Sequence, residues 1–416
     1  MSRSVGERNA KRRVSGNHEP ETPPPEPDRR AALDRVLEMM AIGGTSGEES
    51  VIVEYITDKL RGAGVPASAI SVDQAHRRTK IRGQVGNLVC RLPGTFRGPR
   101  RLLMAHVDTV PLCVGSKPVL KNGWVRSADP NTGLGADDRA GAAVVLTAAI
   151  EILRHKLPHP PLTFFWPVQE EVGLQGVRYA KLSALGKPRL AFNFDGGAAE
   201  KVTIGATGAY RLQIRVEGLA SHAGGAPQHG VSAVAIAALA IAEMTRDGWH
   251  GAIQKSRSYG TSNVGFIHGG GATNVVTDTV ELRAEARSHD PAFRRQIVTA
   301  IERCFKRAAK RVKNVEGTCG RIKLTSEHDY ESFKLNDRQP CILDAEAAIR
   351  DIGLEPLRTI ANGGLDANWM ADRGIPTVTL GCGQHSPHTV DERLDVAAYQ
   401  SACRIGLRLA TATVRR

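Results

Sequence analysis

An α/β fold is predicted, built on a mixed, mostly parallel sheet flanked by helices, with a smaller α+β domain inserted into it. Two observations carry this. Short apolar runs bounded by turn residues (87–92, 101–105, 162–166, 190–194 and 377–380) read as buried strands, and helical patterns over 140–153, 177–185, 341–352 and 395–412 alternate with them. The middle of the chain breaks that rhythm. There, 210–217 alternates apolar and polar residues as a half-exposed strand does, and further alternating runs near 263–268 and 279–287 accompany helical patterns over 233–245 and 294–313. The expected division is a tail over 1–28, a main domain made of 29–207 and 334–416, and an inserted domain over 208–333.

Taken in order, the chain opens with basic residues and the run ETPPPEPD, a composition that cannot bury a core. Asp28 can cap a helix carrying Leu33, Val36, Leu37 and Met40, which ends at Gly43 and Gly44; Ser46 of SGEE reads as the start of the next. The net charge of +13 raises a nucleic-acid partner, but the densest basic run, 294–313, places Ile297, Ile301, Phe305 and Ala309 on one side and cations on the other. No aromatics interleave with those cations as a stacking platform requires, so a solvated helix face is expected. Seven scattered cysteines without a CxxC pair suggest neither a disulfide framework nor a thiolate metal site. No apolar run is long enough to span a membrane and no secretion signal is legible, so a cytoplasmic location is expected.

Four of the buried strands run into residue types that hold metal ions. The run at 101–105 leads to His106 and Asp108, that at 162–166 to Glu170 and Glu171, that at 190–194 to Asp195, and that at 377–380 to His385 and His388. Ligands of open α/β sheets sit at the carboxyl ends of the strands, so these groups can meet although they are far apart in sequence. The stretch GADDRAG (135–141) adds two adjacent carboxylates, Asp137 and Asp138, at the turn into an apolar helix. Neighbouring carboxylates repel, and a buried pair needs a cation. Nitrogen and oxygen donors without thiolate suit zinc, and cobalt or manganese could take the same set. Two imidazoles and at least three carboxylates exceed what one catalytic zinc keeps; two metals bridged by a carboxylate fit the count better. The tandem glutamates can supply one ligand and one free base.

Jointly, AHVDTV, GADDRAG, QEEVGLQG, FDGG and HTVDE, with GLASHAGGAPQHGVSA, GGGATNVVTDTVELRAEARS and NGGLDAN between them, resemble the peptidase T-like branch of the co-catalytic di-zinc metallopeptidases, relatives of carboxypeptidase G and aminoacylase. The resemblance spans essentially everything after the tail. It implies a zinc exopeptidase fold whose inserted domain is a lid and dimerisation unit. It also implies that His106 and Asp195 hold one zinc, Glu171 and His388 the other, and Asp137 bridges them through a cis bond to Asp138. His388 is selected over its rival His385 by the family pattern His-Thr-x-x-Glu, met here by His388 to Glu392. Asp108 would orient the ring of His106, and Glu170 would be the general base. His222 would hold the oxyanion, reaching from a second subunit, and Asn274 and Arg287 would bind substrate. The loop Gly363-Gly364-Leu365-Asp366 would support the site.

The activity implied is hydrolysis of short peptides, as a tripeptidase or aminopeptidase releasing the N-terminal residue. A carboxypeptidase or an N-acyl-amino-acid deacylase would use the same ligands and stays open. A non-catalytic, basic nucleic-acid-binding module is the remote alternative, opposed by the intact ligand set.

Overall fold

The computed structural model describes residues 26–411, so the tail expected over 1–28 lies outside the described residues except at its end. There, Glu26 is docked by Arg404 at 2.7 Å and Arg408 at 2.6 Å. Among the described residues the main sheet has nine strands. Its centre is parallel, in the spatial order Leu162–Trp166, Arg101–Met104, Leu190–Phe194, Thr377–Leu380. Every residue of these strands is buried, which is why they read as unbroken apolar runs and not as alternating ones. Antiparallel strands flank the centre: Leu88–Leu92 and Ile70–Val72 on one side, Lys201–Ala206 on the other.

Helices cover both faces. Ala136–Arg154 is buried on nearly every side, as its all-round apolar sequence demands, and packs between Arg29–Ala41 and Val396–Thr411. On the opposite face Val177, Met370 and Ile375 close over Val89, Leu102, Met104 and Phe165. A second sheet is antiparallel, in the order Gly251–Lys255, Ser258–Gly269, Thr279–Ser288, Gly208–Glu217, Arg321–Tyr330. One of its faces buries Leu212, Ile214, Val216, Val280 and Leu282 under the helices Ala233–Arg246 and Pro291–Arg311. The alternate residues, among them Arg211, Arg283, Glu285 and Arg287, therefore form an open polar face.

Three local features differ from the sequence reading. The helix Ser50–Gly62 starts four residues after Ser46, because the Ser46 hydroxyl instead donates to Asp108 Oδ2 at 2.6 Å. The helical pattern over 177–185 is broken into Gln175–Tyr179 and a 3-10 turn, Leu182–Leu185. At the break, Arg373 donates to the carbonyls of Val177 and Ala180, both at 3.0 Å, replacing helix hydrogen bonds. A four-stranded sheet of Pro118–Lys121, Trp124–Ser127, Arg393–Asp395 and Gln384–His385 had no sequence counterpart.

Candidate active site

Because the central strands are parallel, their carboxyl ends share one edge of the sheet. The loops leaving that edge bring His106, Glu170, Glu171, Asp195 and His388 around a cleft of about 440 Å³, into which Asp137 also faces. Asp137 stands between the two imidazoles. Its Oδ1 is 3.3 Å from His106 Nε2 and its Oδ2 is 3.4 Å from His388 Nε2. His388 Nε2 is also 2.9 Å from Glu171 Oε1. His385 is elsewhere, in a short strand with its ring edge-on to Trp124 at 5.2 Å between centroids.

The donor set fits metal ions. Ligand atoms of His106, Asp137 and Glu171 lie within 4.8 Å of one another, and so do those of His106, Asp138 and Asp195. Asp137 Oδ1, Asp138 Oδ2 and both oxygens of Asp366 are buried with no hydrogen-bond partner among the described residues. Burial, with the charge of Asp137 added, pushes the Asp195 carboxyl up to about 6. Burial likewise drives Asp138, Glu170 and Asp366 well above the usual carboxylate range. Hydrogen bonds to Asp137 and Glu171 raise His388 to about 10. Asp137 itself falls, because contacts with His106 and His388 outweigh its own burial. So many carboxylates cannot ionise together unless cations join them.

The pattern of Peptidase family M20/M25/M40 matches residues 102–412, from the strand before His106 through the last helix. The chain belongs to that family. It is 32% identical to the uncharacterised protein YqjE of Bacillus subtilis (strain 168) over 371 residues, covering 89% of this chain and 94% of YqjE. The solved tripeptidase of Staphylococcus aureus subsp. aureus Mu50 superposes with a TM-score of 0.82 at 31% identity, covering 93% of this chain and 99% of that one. The aminopeptidase PepT of Bacillus cereus ATCC 10987 does so with a TM-score of 0.76 at 30% identity, covering 92% and 98%.

Behind this M20 cleft, two buried carboxylates organise backbone rather than face solvent. Asp108 lies 3.4 Å from His106 Nδ1 and accepts from the amides of Glu170 at 2.9 Å and Glu171 at 3.1 Å. One side chain thus sets both the histidine and the tandem glutamates. Glu392 accepts from the amides of Leu134, Gly135 and Asp137 at 2.8, 2.7 and 3.0 Å, tying the GADDRAG turn to the segment that carries His388. The bond between Asp137 and Asp138 is cis. Arg139 is wholly buried behind the cluster, where burial lowers its pKa to about 10 against the pull of Asp108.

Arg287 lines the cleft, held by Glu285 in a two-pronged contact at 2.9 Å. Arg211, held by Asp329 at 2.8 Å, and Tyr330 line it too, and neither was singled out from the sequence. The only signal for Arg211 is its polar phase in an alternating strand; Tyr330 has none. His222 and Asn274 are not among the lining residues. Both are exposed on the segment of the second sheet's domain where His222 bridges Val275, and His222 Nδ1 accepts from the amides of Gly224 and Gly225 at 3.1 and 2.8 Å. A further cluster of ligand types, Glu243, Asp247 and Cys304, already has a counter-cation: Arg307 reaches Glu243 at 2.5 Å and Asp247 at 3.2 Å.

Proposed function

We propose that this M20 peptidase is a two-metal exopeptidase that releases the N-terminal residue of short peptides, as a tripeptidase or aminopeptidase. The observation that carries the reading is a carboxylate, Asp137, set between His106 and His388, with Glu170 facing the same cleft but standing outside both close donor clusters. His106 and Asp195 would hold one ion and Glu171 and His388 the other, with Asp137 shared. Zinc is the first choice for nitrogen and oxygen donors, with cobalt or manganese suited to the same set. When bound, such ions polarise a carbonyl and acidify water.

The chain's own residues supply the remaining chemistry. Glu170, which faces the cleft, would accept the proton of the attacking water and pass it to the leaving amine. Arg287 and Arg211, their guanidinium planes held by Glu285 and Asp329, offer paired donors to the carboxylate end of a peptide. His222 would hold the oxyanion from a second copy of the chain, with Asn274 beside it; residues 208–333 would then act as lid and dimer unit, and 29–207 with 334–416 as the catalytic domain. The two solved structures at 30–31% identity are a tripeptidase and an aminopeptidase, which supports N-terminal release over the carboxypeptidase and deacylase readings. Free cysteines throughout suit a reducing compartment such as the cytoplasm. No described helix is long and apolar enough to cross a membrane.

The test is turnover of a tripeptide with metal content measured on the same samples. Glu170→Gln should keep its metal and lose about 10²- to 10⁴-fold in kcat. Unchanged turnover would remove Glu170 as the base. Acetylating the tripeptide's amino end should abolish cleavage; equal cleavage of both forms would overturn N-terminal release.

A further inference from the structure

A second cavity, of about 730 Å³, adjoins the cleft. Arg211 lines both. So does the loop after Glu171, with Gly173 on the cleft and Val172 on the cavity. The open polar face of the five-stranded sheet bounds it on one side, and Lys80, Ile81 and Arg178 on the other. An enzyme that releases an N-terminal residue must house everything beyond the scissile bond, and this cavity is room on that scale.

Its charges leave one cation over. Of the carboxylates in the lining, Glu327 is engaged by Lys80 and by Arg178 at 3.7 Å, Asp329 by Arg211 at 2.8 Å, and Glu285 by Arg287 at 2.9 Å. Arg283 has no carboxylate partner among the described residues; its guanidinium lies 3.9 Å from the centre of the Phe266 ring, on the cavity wall. Stacking of this kind orients a guanidinium while leaving its N–H groups free for an anion. Arg283 and Arg287 share the strand Thr279–Ser288 and, being four residues apart, the same face. At roughly 3.4 Å per residue they are about 14 Å apart, the span of about four residues of an extended peptide.

We propose that this cavity is a subsite for peptides longer than three residues, and that Arg283 takes a terminal carboxylate about four residues beyond the one Arg287 takes. The inference rests on the peptidase reading of the cleft and extends its substrate class to oligopeptides of about seven residues.

Alanine-based tri- and heptapeptides, each with a free or an amidated carboxyl end, test it with the metal-loaded protein and Arg283→Gln. The variant should lower the ratio of heptapeptide to tripeptide kcat/KM by about tenfold. Amidation of the heptapeptide should lower wild-type kcat/KM similarly and erase the difference between wild type and variant. A variant that shifts both lengths by one factor, or a heptapeptide indifferent to amidation in the wild type, would overturn the subsite. Wild type that cleaves the tripeptide and not the heptapeptide would also overturn it, while leaving the peptidase reading intact. Cleavage of neither would overturn that reading.

Discussion

Behind the cleft, Glu49 accepts hydrogen bonds from the amides of Gly47 at 2.8 Å and Gln169 at 3.1 Å through one oxygen, and its other oxygen is buried with no partner among the described residues. Burial, reinforced by the nearby charge of Asp108, lifts its carboxyl to about 7 from an ordinary 4.5. A folded-state value above the unfolded one means that folding favours the protonated acid. Its stabilising contribution is therefore complete below about pH 4.5 and is lost as pH rises through about 7. The loss amounts to about 3 kcal/mol at most. Glu49→Gln carries no charge, so the melting temperature of the metal-free variant should gain on that of wild type between pH 5 and pH 8. A constant difference across that interval would show that Glu49 does not titrate there. Sequence gave the identities of the cleft's acids but not this partnership, since Glu49 and Gln169 are joined only by the fold.

Elements meet closely where the GADDRAG helix crosses the sheet. A Cβ at Gly141 would lie 1.8 Å from the Phe194 carbonyl oxygen and 2.5 Å from Asp138 Oδ1, so only glycine lets the helix rest on the end of the strand leading to Asp195. Gly141→Ala should cost about 3 kcal/mol by overpacking. Urea unfolding measures that cost, and a fall in bound metal should accompany it because both flanks of the site move; a variant with wild-type stability would contradict the packing. At this scale the central strands were legible because they are buried on both faces and end in turn residues. The short strands around Trp124 and Gln384 were not, since two to four residues carry no period, and the pairing that joins the two hairpins, Trp124–Ser127 with Arg393–Asp395, spans most of the chain. Nor was the break near Ala180, which depends on an arginine arriving from Arg373's distant helix end. Ser46 looked like a cap because its local spacing is right; a buried carboxylate claimed its hydroxyl first.

On the scale of the molecule, the site within one chain has its carboxylates and imidazoles together but leaves His222 on an exposed segment. If a second copy supplies it, two inactive variants should complement each other. Glu170→Gln mixed in equal amounts with His222→Ala and allowed to exchange subunits should recover about a quarter of wild-type activity, since half the dimers are mixed and each holds one complete site. No recovery, with exchange verified, would confine catalysis to a single chain. The order of strands carries a different consequence. Thr377–Leu380 lies between Leu190–Phe194 and Lys201–Ala206, although roughly 180 and 170 residues of sequence separate it from them. During synthesis the middle of the sheet therefore waits for a segment made long after both of its neighbours, and His388 and Glu392 emerge later still. Until those residues are made, the growing chain cannot bring an imidazole opposite His106 across Asp137, and the cleft's acids stand without it.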